Sequence, residues 1–122
     1  MRNQNCKKLY LELFTTKLNN LTTAEKERMN SVTEIAIQLM KQYGLEQMKF
    51  KFFLHPRYIG ICHKDRIEFD LHYALRAPPH DIRNVILHEI AHALVGPGHG
   101  HREHWQNKAR ELGVTWLKRY HK

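Results

Sequence analysis

Cysteine is scarce: Cys6 and Cys62 are the only two in the 122-residue chain, too few for a disulfide scaffold or a four-cysteine zinc ribbon. So far apart in sequence, they read as two reduced thiols of an intracellular protein. No apolar run approaches the ~18 residues that cross a bilayer, and residues 1–5 are not followed by the apolar stretch of a signal peptide. The expectation is a chain that does not span a membrane and is not secreted, but is cytoplasmic or associated with the nucleoid or nucleus. With 6 glycines and 4 prolines there is no fibrous repeat and no low-complexity linker. The length suits one domain, and 42% hydrophobic with 26% charged residues suits one that builds a core.

Acidic residues are in short supply too, and unevenly so. The net charge is +8, and seven of those eight charges fall in residues 1–24 and 102–122, the long middle being nearly balanced. Two basic ends brought together would suit nucleic acid or another polyanion. Ordinary solubilising lysines and arginines explain the same distribution equally well. Nothing in the sequence fixes the oligomeric state.

Hydrophobic spacing divides the chain. Leu9, Leu11 and Leu13 alternate as in a strand, whereas Leu9, Tyr10, Leu13 and Phe14 fit a helix, and helix is the preferred reading. Thr22-Thr23-Ala24-Glu25 has the form of a capping box, and Met29, Val32, Ile35, Ala36, Leu39, Met40 and Tyr43 then recur at helical spacing until Gly44 stops them. From Met48 the period becomes two: Phe50, Phe52 and Leu54, then Ile59 and Ile61, then Ile67, Phe69 and Leu71. Short connections at His55-Pro56-Arg57 and His63-Lys64-Asp65 predict a three-stranded antiparallel meander. Pro78-Pro79 closes that region, with Asp81 placed to cap a helix over 82–95 that is apolar round most of its circumference and therefore buried. Gly96-Pro97-Gly98 ends it. A last helix over 102–112 carries Trp105, Ala109 and Leu112 on one side.

Within the buried helix stands His88-Glu89-Ile90-Ala91-His92. Histidines four apart share one helical face, so both imidazoles can reach one Zn²⁺. Glu89 lies about 100° further round, beside that metal rather than on it, which is where a general base for water belongs. Among apolar neighbours, His88, Glu89 and His92 are costly to bury without a purpose. Two satisfied core histidines with a carboxylate partner are the plain alternative. A catalytic zinc wants a third protein ligand, and the glycine-rich turn that follows offers His99, His101 and His104. His101 is favoured, because Trp105 four residues on could anchor the turn that presents it. His99 is the runner-up, and His104, already inside the last helix, reads as a surface residue or one that supports a ligand without touching the metal. His55, His63, His72, His80 and His121 have no spacing that argues for a metal.

With these residues in place the sequence resembles the SprT-like metalloprotease family, which includes the Spartan proteases that act on DNA-protein crosslinks. The likeness runs over residues 30–117, with residues 1–22 an N-terminal extension. It rests on Arg57, Gly60 and Cys62 ahead of Ile67-Glu68-Phe69, then on Asn84 to Leu94 around the His-Glu element, then on the histidine-containing turn followed by an aromatic residue. The resemblance implies a single small α+β domain of zincin-like fold and a zinc-dependent protease. His88, His92 and His101 would be ligands and Glu89 the catalytic base, with protein or peptide substrates that include proteins bound or crosslinked to DNA. Two departures stand out. The family commonly has glycine after its third histidine, but Arg102 follows His101; His99 has Gly100 after it but Glu103, not an aromatic, four positions on. No residue, Tyr73 and Arg76 included, is assigned as oxyanion donor. Two rival functions use the same residues: a nucleic-acid-binding module with a structural zinc, and a zinc hydrolase of non-peptide amides.

Overall fold

The computed structural model describes residues 2–96 and 102–115, with side chains from Lys8 onward. These residues form five helices and a three-stranded sheet, an α+β arrangement in the order α1 (Arg2–Asn19), α2 (Thr23–Gln42), β1 (Lys49–Phe53), β2 (Gly60–Cys62), β3 (Arg66–Asp70), α3 (Leu71–Arg76), α4 (Pro79–Val95) and α5 (Glu103–Glu111).

Local chemistry sets most of these bounds. Thr22 accepts from the Glu25 N–H while the Glu25 carboxylate accepts from the Thr22 N–H, the reciprocal box that opens α2. The helix leaves through Tyr43 into Gly44, whose φ of 75° suits a residue without a side chain. Helix α4 starts earlier than its capping signals imply. Pro78 is the N-cap and Pro79 the first helical residue, so Asp81 sits inside the first turn and complements the helix dipole instead of capping it.

The antiparallel meander is corrected: the sheet is mixed, in the order β1-β3-β2. Strand β3 pairs parallel with β1, Phe52 opposite Phe69, and antiparallel with β2, Ile61 opposite Glu68. Six residues between β1 and β2 can span two strand spacings, so a short connection did not require adjacency. The most deeply buried strand takes the middle, although three of its five residues are charged: Ile67 and Phe69 are fully buried there. The last strand also ends before Leu71. Asp70, wholly buried, accepts from the Tyr73 N–H with one carboxylate oxygen, capping α3, and from the His55 N–H with the other. Leu71 is therefore the first residue of a helix, not the last of a strand.

Helices α2, α4 and α5 share one core with the sheet, built from Val32, Ala36, Leu39, Ile67, Phe69, Val85, Ile86, Ile90, Trp105 and Ala109. Burial of this apolar area is the main favourable term. From α1, Phe14 packs on Phe53 with ring centroids 5.4 Å apart. Among the described residues no helix is long and apolar enough to cross a membrane.

Candidate active site

Helix α4 runs through the middle of the core, and nine of its residues are buried. On its inner face His88 is 2% and Glu89 3% exposed. His92 is half-buried, one turn on, with its ring centroid 5.0 Å from that of His88. The Glu89 Oε2 atom lies 3.8 Å from His88 Nε2. Two imidazoles and a carboxyl thus meet at one point of the helix surface, as the spacing predicts.

Two other elements hold them there. Trp105 of α5, fully buried, sets its ring 4.6 Å from that of His88 and stacks on His92 at 5.1 Å and 23°. Its indole N–H donates to the His88 carbonyl oxygen at 3.3 Å. Trp105 thus braces the two histidines of α4 directly, while the turn at His101 that it is expected to anchor lies outside the described residues. On the other side, strand β2 crosses beside Glu89. A methyl group at Gly60 would stand 3.2 Å from Glu89 Cγ and Oε2 and 3.3 Å from Val85 Cγ1, so glycine is what lets the strand approach this closely.

That proximity shapes the electrostatics. Burial lifts the Glu89 carboxyl from 4.5 to about 8, and the backbone N–H of Cys62, which it accepts from, only partly opposes the rise. Burial, with the Glu89 charge second, pushes the Cys62 thiol up to about 12. Raised in this way, the metal-free carboxyl keeps its proton at neutral pH, and a cation beside it would favour the carboxylate that a base requires. Cys62 itself serves through its main chain and is a poor nucleophile.

Asn84 is a further buried polar residue of α4, 3% exposed. Its Oδ1 accepts from the Thr115 N–H at 2.8 Å and from the Thr115 hydroxyl at 3.1 Å. It ties the segment after α5 to the start of α4 and so steadies the frame that carries Trp105. A glycine inside a strand was the available signal for Gly60. A backbone donor such as the Cys62 N–H has no signature in a sequence at all.

His104 is exposed on α5. His99 and His101 lie outside the described residues. Among the described residues no three His, Cys, Asp or Glu side chains form a metal-holding group. Tyr73 and Arg76 pair with each other on α3, the guanidinium 5.6 Å from the ring centroid.

The family model for the SprT-like family matches residues 11–121. The chain belongs to the SprT-like family. The match begins within α1 and runs past α5. The family is generally associated with zinc metalloprotease activity. No curated protein and no solved structure matches the chain.

Proposed function

We propose that this SprT-like domain is a zinc-dependent metallopeptidase of zincin type that hydrolyses peptide bonds, with His88, His92 and His101 as ligands and Glu89 as general base. The observation that carries the proposal is the placement of the Glu89 carboxyl, 3% exposed in the core, with Oε2 3.8 Å from His88 Nε2 and His92 one turn on. A core histidine pair or a structural zinc has no need of an ionisable group held at that cost. The donors fit zinc: two imidazoles on one helical face, their rings fixed by Trp105, beside a carboxyl that is not itself in line with them. Zinc bound there supplies Lewis-acid polarisation of water and of the scissile carbonyl.

The protein groups do the rest. Glu89 takes a proton from the attacking water on a carboxylate oxygen and returns it to the departing amine nitrogen. The Cys62 N–H orients that carboxylate, and Gly60 and Val85 close its apolar side against solvent. Proteins bound or crosslinked to DNA are the proposed substrates. The charge of +8, concentrated at the two ends of the chain, supports delivery to a polyanion.

The test is casein cleavage and self-cleavage by purified protein, with zinc content measured in parallel. Glu89→Gln should lower hydrolysis by orders of magnitude while zinc and helicity persist. Full activity in that variant defeats the mechanism. His101→Ala should strip zinc and His104→Ala should not; the reverse moves the third ligand off His101.

A further inference from the structure

Strand β1 is an edge of the sheet, since β3 lies on one side and no described strand on the other. The Lys49 N–H donates to the Asp65 carbonyl at 3.1 Å, toward β3. In a parallel ladder the next residues alternate, so the main-chain groups of Phe50 and Phe52 turn outward. Beside this edge runs a groove of about 430 Å³ lined by Ile37, Met40, Leu45, Met48 and Phe50, with Lys41, Lys49 and Lys51 at its rim beside a single acid, Glu46. Ile37 is 55% exposed in it.

The two faces of β1 differ. Phe50 and Phe52 turn toward the core, their centroids 6.0 and 6.4 Å from Phe69. Lys49 and Lys51 occupy the other face and are exposed. A strand added to this edge would meet apolar groove with every second side chain and lysine with the ones between. We propose that the β1 edge and its groove bind an extended peptide segment of alternating apolar and acidic residues from a partner protein. Binding adds a fourth strand, with main-chain bonds supplying affinity and the two faces supplying selectivity.

Edge lysines also discourage sheet-to-sheet aggregation, and here they fix the partner's sign. Two copies of β1 would bring Lys49 and Lys51 against each other, which disfavours self-pairing. An acidic strand converts the same side chains into attraction. The site lies on the opposite edge of the sheet from β2 and Glu89, so the proposal is independent of peptidase activity.

The experiment uses Glu89→Gln protein, so that nothing is cut, and a fluorescein-labelled seven-residue peptide of alternating valine and glutamate, titrated by anisotropy. Saturable binding is expected, with no binding by the valine-lysine counterpart. Lys49→Glu with Lys51→Glu, and separately Ile37→Glu, should each weaken it about tenfold. Both changes fall on exposed side chains, and circular dichroism checks that the fold persists. Peptides N-methylated at alternate residues should lose binding in one register and keep it in the other. Amide exchange should slow at Phe50 and Phe52. Equal loss in both registers, equal affinity for the lysine peptide, or a mass change showing that β1 pairs only with a second copy would overturn the proposal.

Discussion

Gly60 and Glu89 form a contact in which one missing carbon decides what a carboxyl can do. Gly60→Ala places a methyl group 3.2 Å from Glu89 Cγ and Oε2, so strand or carboxyl must give by a few tenths of an ångström. The expected outcome is a roughly 10- to 100-fold loss of hydrolysis with a much smaller effect on thermal unfolding, because displacement of a catalytic group costs rate before it costs fold. Unchanged kinetics would show that the close approach has no part in setting the base. A second expectation follows from the same carboxyl. In the unfolded chain it ionises near 4.5 and in the folded, metal-free chain near 8. Between those values the folded state holds the extra proton, so stability falls as pH rises from about 4.5 to 8 and levels off above. Glu89→Gln should remove that decline and leave the chelator-treated protein more stable than its parent at pH 8, by on the order of a few kcal/mol. Urea unfolding across that range reads it directly, and parallel profiles would contradict the raised value. That His88, Glu89 and His92 come together was legible because spacing, residue type and apolar surroundings agreed. The Cys62 N–H was not, since every non-proline residue has one and only the fold says where it points.

Helix α5 is an element whose work is done on another element. Through Trp105 it stacks on both histidines of α4 and bonds the His88 carbonyl, and through Asn84 the segment that follows it is fastened to the start of α4. Trp105→Ala should destabilise by about 3 to 5 kcal/mol, as removal of a fully buried large ring does. Trp105→Phe separates packing from positioning. It retains most of the stability, loses the indole donor, and should bind zinc several-fold more weakly in a competitive chelator titration. Equal zinc affinity would reduce Trp105 to a core residue. Periodicity found α2 and α5 because each has an apolar stripe and a stop or start signal, and α4 was found because it is apolar round most of its circumference between proline and glycine signals. It missed α3, whose six residues are too few to establish a period. It also misjudged the sheet, since pairing partners are chosen by burial of Ile67 and Phe69 across distant segments, which alternation within one segment does not encode.

For the molecule as a whole, charge and topology carry the remaining expectations. Lys118, Arg119 and Lys122 lie outside the described residues, but their contribution to the net charge is plain from the sequence. If the basic ends contact phosphates, affinity for duplex or single-stranded DNA should fall steeply with salt, and neutralising these three residues should flatten the slope while sparing zinc. Fluorescence anisotropy that shows no DNA affinity at about physiological salt would remove DNA from the functional reading and leave the peptidase standing. The mixed sheet has a further consequence, for the order in which the chain assembles. Only β2 and β3 are joined by a tight hairpin, whereas β1 must wait for β3 to return past the whole of that hairpin before its parallel partner exists. The edge that shelters Glu89 is therefore made from local sequence, and the opposite edge from a distant encounter. In native-state exchange the two should open as separate units, the β1 seam yielding without disturbing the hairpin that holds the carboxyl.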